Sequence, residues 1–316
     1  MRAPVKLAAF AAALAVLFGG GALAGGAIDP DRDEPRPAHT AAATGHNGAD
    51  GAREKEHETM STSLSERNSN AHGASDPGAH PVRGLAVAER GLRVVVEDPE
   101  LRRGRTEQVR FRIVDDAGRT VRDFEVEHER RMHLIIARRD LTGFQHLHPE
   151  QVADGGWTVA VKLDEAGSYR LFADFAKGDE SYTLASDLRV DGSADLKPLP
   201  APAATSVSDG GYDVRLDAAS ARPGQEAELR FTITRDGQTV HTEPYLGAGG
   251  HLVALREGDL AFLHVHPTEH ADGETSGHDD AVGFAATFPT EGRYRLFLQF
   301  KHDGRVQTVA FTQAVK

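Results

Sequence analysis

His133 and His146 lie thirteen positions apart, and His251 and His264 repeat that spacing. Each second histidine opens a matching run, His146-Leu147-His148-Pro149 and His264-Val265-His266-Pro267. The flanking words also agree: Met132-His133-Leu134-Ile135 answers Gly250-His251-Leu252-Val253. Three histidines therefore recur in two copies, 118 residues apart. Imidazole nitrogens held at fixed spacing are ligands for a divalent metal, copper(II) first on affinity grounds and zinc second.

Such a set needs a scaffold that turns all three rings one way. Met132–Ala137, Arg138–Gly143 and Phe144–His148 read as a hairpin with Asp140 near its tip. Opposed residues in an antiparallel hairpin share a constant index sum. That sum is 281 if His133 faces His148, and 279 if it faces His146. Both are odd, so an even-length loop puts the three imidazoles on one face. In the second copy the sums are 517 and 515, with the same parity. The same face carries Ile135, Ala137 and Phe144, and in the second copy Val253, Leu255 and Phe262. A second reading follows from those neighbours. The histidines sit at the rim of an apolar core and bond backbone groups, with Pro149 and Pro267 ending the strand.

The other histidines carry less. His39, His46, His57, His72 and His80 fall in a polar stretch and read as solvated. His270 and His278, among Asp and Glu, could extend the second site. His128, His241 and His302 have no counterpart in the other copy and read as surface residues. Trp157, Tyr169 and Tyr294 read as core or tyrosine-corner packing. Arg102-Arg103-Gly104-Arg105 and Arg130-Arg131 read as solvated strand ends.

The repeat extends beyond the histidines. Val109-Arg110-Phe111-Arg112-Ile113 matches Leu229-Arg230-Phe231-Thr232-Ile233, and Gly167-Ser168-Tyr169-Arg170-Leu171-Phe172 matches Gly292-Arg293-Tyr294-Arg295-Leu296-Phe297. Downstream of the histidines the offset grows from 118 to 125, and the extra residues fall in the polar stretch Glu269–Asp280, read as a surface loop. Leu92–Val96, Gln108–Ile113, Trp157–Val161 and Tyr169–Phe175 alternate as strands, with Gly and Asp turns between them. No convincing helical period occurs in either copy. The expected fold is all-β: two tandem immunoglobulin-like β-sandwich modules, at 85–193 and 209–316. The Pro-rich join at 194–208 reads as a semi-rigid spacer.

The beginning of the chain is different material. Arg2 and Lys6 precede an apolar run to Ile28, which reads as a signal peptide or an uncut membrane anchor over 1–28. Residues 29–84 are rich in Ala, Gly, Ser, Asp, Glu and His and poor in bulky apolar residues, so they read as a disordered tether. At roughly 55 residues its r.m.s. reach is about 40 Å. The expected location is the cell envelope, anchored on the outer face of the plasma membrane or secreted. The expected contacts are a metal ion, the membrane through the N-terminal helix, and an envelope protein partner.

Composition sets limits. A net charge of −12 over 316 residues argues against nucleic acid as a partner. With no cysteine there is no disulfide, thiolate or lipoprotein anchor. Three methionines leave no thioether-rich cuprous site. There is no GxSxG, no HExxH and no phosphate loop, so an enzyme is not expected. His146-x-His148-Pro149-Glu150 is similar to the first cupin motif, but the preceding glycine spacing and a second motif are missing.

These residues resemble a group of bacterial exported proteins whose paired modules read HL(I/V)…DL…F-x-H-x-HP. The resemblance runs from Gly84 to Lys316. More distantly the chain looks like YtkA-like and FixH-like β-sandwich domains and the CopC-like copper carriers. The resemblance implies an envelope protein that handles metal, chiefly copper. CopC-like carriers use an amino-terminal His with further His and Asp ligands, whereas this chain begins with a signal or anchor. The combined expectation is an extracytoplasmic copper-binding protein with one site per module: His133, His146 and His148, and His251, His264 and His266. The alternative is a metal-free envelope interaction module with structural histidines.

Overall fold

The computed structural model describes residues 82–218, 221–263, 265–268 and 281–316. The apolar run, nearly all of the tether, His264, His270 and His278 lie outside the described residues. Among the described residues every regular element is a strand, and no helix is long and apolar enough to cross a membrane.

The first module holds β1 (Ala88–Glu89), β2 (Leu92–Val96), β3 (Glu100–Leu101), β4 (Thr106–Asp115), β5 (His133–Arg138), β6 (Gln145–Leu147), β7 (Glu150–Gln151), β8 (Trp157–Lys162), β9 (Gly167–Lys177) and β10 (Glu180–Val190). They form two sheets, ordered β1-β2-β4-β8-β7 and β3-β10-β9-β5-β6. The second module holds β11 (Thr205–Val207), β12 (Asp213–Ala218), β13 (Glu226–Arg235), β14 (Gln238–Thr239), β15 (His251–Arg256), β16 (Phe262–Leu263), β17 (Val265–Pro267), β18 (Ala281–Thr287), β19 (Gly292–His302) and β20 (Arg305–Val315). Its sheets run β11-β12-β13-β18-β17, with β14 on β13, and β16-β15-β19-β20. The described residues thus form two tandem immunoglobulin-like β-sandwiches.

Alternation builds each sandwich core. Val109, Phe111 and Ile113 of β4 point inward to meet Leu134 and Ile136 of β5 and Trp157 of β8. Leu229, Phe231 and Ile233 do the same beneath Leu252 and Ala254. Each such buried side chain contributes roughly 1.5–3 kcal/mol. Two tyrosine corners lock the long hairpins: Tyr169 Oη donates to Glu165 O at 2.8 Å, and Tyr294 Oη to Thr290 O at 2.9 Å.

β5 breaks the alternation, because all six of its residues are buried. Its second face is covered by the other module. Ile135, Ala137, Leu141 and Phe172 join Val253, Leu255, Leu260, Phe262 and Phe297 in a third apolar cluster. The contact has approximate two-fold symmetry. Phe144 stacks on Phe297 with centroids 4.0 Å apart, and the counterpart pair, Phe262 and Phe172, lies at 5.6 Å.

The join and the end of the tether belong to this interface. The sequence suggests a spacer at 194–208, but Leu199 is buried in the third cluster and its carbonyl accepts from Arg293 Nη1. Lys197 N donates to Asp140, which also pairs with the buried Arg138 at 3.0 Å. Residues 82–84, expected to end the tether, instead bridge the modules. Gly84 N donates to Thr183 O, and Phe262 N donates to Arg83 O. Gly84 has φ +69, and a Cβ there would lie 2.8 Å from both Phe172 and Phe262, so only glycine fits.

Candidate metal centre

β5 and β6 pair as Leu134↔Leu147, Ile135↔His146 and Ile136↔Gln145, the 281 register. His133, Ile135 and His146 therefore share a face. His148 follows β6 directly and turns its ring to the same place: centroids are 5.1 Å from His133 and 4.9 Å from His146. One ring nitrogen from each of the three lies within 4.8 Å of the other two. His133 is buried, and His146 and His148 are half-buried.

The face is not the rim of the sandwich core. It meets the second module, which adds residues to the cluster. The His251 ring stacks on His146 at 4.6 Å and lies parallel to His133 at 5.8 Å. Gln299, opposite His251 on β19, accepts at Oε1 from His146 Nδ1 at 2.7 Å. Gln299 Nε2 donates to Thr308 Oγ1 at 3.1 Å.

His128, which the sequence marks as a surface residue, is also at this site. Its ring lies 6.1 Å from His133 and 6.0 Å from His251. The exposed turn that carries it has two consecutive residues at positive φ, His128 at 47° and Glu129 at 64°. Reciprocal backbone bonds between Glu127 and Arg130 close it. No sequence signal marks this turn, because neither central residue is Gly, Asn or Asp. His302 lies elsewhere, its Nδ1 2.8 Å from Tyr212 Oη.

The second trio is described only in part. His251 joins the cluster above. His266 lies on β17 in the opposite sheet, exposed, beside a cavity of about 350 Å³ that Arg83, Ser181 and Glu226 also line. His264 is outside the described residues.

Burial disfavours the charged form of four rings, His133, His146, His148 and His251. It lowers His133 to about 4, although its bond to Glu127 works the other way. It lowers His146 to about 3 and His148 to about 4, assisted by neighbouring positive charge. His251 falls well below 6.5 for the same reason. The rings are therefore neutral at pH 7, and each keeps one nitrogen lone pair.

Proton counting then shows where the lone pairs point. Glu127 O lies 3.1 Å from His133 Nε2, and a carbonyl only accepts, so that nitrogen carries the hydrogen. With the Gln299 amide in this orientation, its Oε1 likewise places a hydrogen on His146 Nδ1. A neutral imidazole has one N–H, so His133 Nδ1 and His146 Nε2 both present lone pairs, and they face each other at 3.0 Å. Three polar contacts share two protons. His148 Nε2 is buried with no hydrogen-bond partner. A cation held by His133 Nδ1 and His146 Nε2, with a ring nitrogen of His148 in reach, would resolve the conflict. Their 3.0 Å separation suits neighbouring ligands on an ion at roughly 2.0–2.1 Å from each.

A family model described as a domain of unknown function, DUF8832, matches residues 86–192 and again 205–316. The chain belongs to this family. The two matches place one copy of the DUF8832 domain on each sandwich, so the histidine cluster lies between two copies. No curated protein matches the chain. Solved structures similar to it include the Escherichia coli adhesin FdeC, 14% identical over 73% of this chain and 66% of that one, with a TM-score of 0.25. A Salmonella alpha-2-macroglobulin is 15% identical over 76% of this chain and 15% of its own, with a TM-score of 0.26. InvD of Yersinia pseudotuberculosis is 12% identical over 72% of this chain and 57% of its own, with a TM-score of 0.23. The chain spans less than two thirds of each of these three.

Proposed function

We propose that this is a non-enzymatic, extracytoplasmic metal-binding protein that holds one ion at the module interface through His133, His146 and His148. The observation that carries the reading is the 3.0 Å approach of His133 Nδ1 to His146 Nε2, with a ring nitrogen of His148 within 4.8 Å of the ring nitrogens that His133 and His146 offer. Glu127 and Gln299 act as outer partners that orient the ligating rings, a common arrangement at histidine metal sites. An all-imidazole set suits copper(II) first and zinc(II) second. The cell-envelope location, by anchor or secretion, rests on the basic and apolar start of the chain.

A second reading has its own observation. Thr308 Oγ1 can donate as well as accept, so the Gln299 amide could be turned over. His146 Nδ1 would then accept from the amide, His146 Nε2 would donate to His133 Nδ1, and the chain of bonds would close without an ion. In that state the histidines are structural and the protein is a metal-free interaction module.

Isothermal titration with copper(II) and zinc(II) separates the two. The ligands stay unprotonated down to about pH 4, so the metal reading predicts stoichiometric binding that persists at about pH 5. Exposed histidines with ordinary values near 6.5 would already be losing metal there. Silent titrations at neutral pH would establish the structural reading.

A further inference from the structure

We infer that Gln299, a residue of the second module, sets the ligand state of His146 in the first, so that metal binding depends on the modules being docked. This inference rests on the metal reading above and adds a control to it.

In each sandwich the first histidine faces one residue on the next strand, and that residue faces a threonine. The first module has His133, Asp174 and Thr183, and the second has His251, Gln299 and Thr308. The two ladders are repeats of each other, but the middle residue differs. Asp174 stays within its own module and accepts from Thr183 Oγ1 at 2.7 Å, while burial pushes its carboxyl up to about 6. Gln299 reaches across to the other module's ligand instead. As an amide it supplies an acceptor without a charge, and so without the desolvation that a buried carboxylate suffers.

The consequence is specific. A hydrogen on His146 Nδ1 leaves Nε2, the nitrogen that faces His133, free to ligate. Without an acceptor at Gln299, nothing holds that tautomer, and a hydrogen on Nε2 would block the site. Gln299 is therefore a positioning residue. It shares a strand face with Phe297, two residues earlier, whose ring stacks on Phe144 of the first module. Undocking withdraws Phe297 and Gln299 together. Coupling of this kind is reciprocal, so bound metal should also hold the modules together.

The test uses the full chain with His39, His46, His57, His72 and His80 changed to Gln, so that only the folded modules bind metal. Nitrogen-15 correlation spectra of the metal-free protein report the His146 tautomer, assigned by its loss in His146→Asn. The expected result is Nδ1-protonated His146 in the parent and in Gln299→Glu, and loss of that preference in Gln299→Met. Copper(II) titration should show Gln299→Met binding about 10–100-fold more weakly, with Gln299→Glu restoring affinity. Phe297→Asp should lose affinity in the same way by undocking. An Nε2-protonated His146 in the parent overturns the inference. So does a parent that binds copper while Gln299→Met matches it in tautomer and affinity, and in that case the metal site itself stands. A parent that takes up no copper overturns the metal reading, and the control falls with it.

Discussion

His128 and Glu129 sit in left-handed backbone where the second module has Leu246 and Gly247, at φ 57° and 81° in the same kind of turn. A non-glycine residue there stores roughly 1–3 kcal/mol of strain. Glu129→Gly is therefore expected to raise the stability of the first module by about 1 kcal/mol, seen as a higher melting temperature. An unchanged or lower value would mean that the Glu129 side chain offsets the strain. The cluster also imposes a pH dependence on the metal-free protein. The folded values of His133 and His146, about 4 and about 3, lie below the 6.5 of a free imidazole. Between those limits the unfolded chain binds more protons. Stability is thus fully present above pH 6.5 and falls as pH drops toward 4, by up to about 1.4 kcal/mol per pH unit for each group. Denaturant unfolding at a series of pH values should show this slope, and His133→Asn with His146→Asn should make it shallower, leaving the share of His148 and His251. The residue types and their common face were legible from spacing. The proton count was not, because it depends on Glu127 O and on a glutamine 153 positions from His146.

The strands explain where reading the sequence succeeded and where it stopped. Leu92–Val96 appears with the bounds expected, and the other three strands read from alternation appear with longer ones. His133-Leu134-Ile135-Ile136-Ala137 has no alternation, and an unbroken apolar run means burial on both faces. Which partner covers each face is not written in the run. Leu134 and Ile136 meet the sandwich core, and Ile135 and Ala137 meet the other module. In an isolated module that second face would form the rim of the core, and the tandem arrangement covers it with the other module. The interface is therefore part of the stability of the whole. Phe297→Ala should cost about 3 kcal/mol and split a single unfolding transition into two. A variant that unfolds in one transition at the parent temperature would show that the third cluster contributes little.

Across the whole molecule, duplication was plain in the sequence, but the use made of it was not. Two copies of a histidine-bearing module suggested two sites. The structure brings His251 of the second copy against His133 and His146 of the first, near the approximate two-fold axis, and His264 of the second trio lies outside the described residues. Placing the molecule in the cell rests on residues 1–28. Fractionation with amino-terminal sequencing should find it outside the cytoplasm, either starting near Gly25 or intact from Met1 in the membrane, and a soluble cytoplasmic protein would contradict the location. The central claim is one metal ion per chain at the interface. Metal content after copper loading and gel filtration, on the full chain without the five tether histidines, tests it most directly. One equivalent of copper is expected, falling to none in His146→Ala with His148→Ala while unfolding stays cooperative. No copper in the parent, or an unchanged equivalent in the double variant, would contradict it.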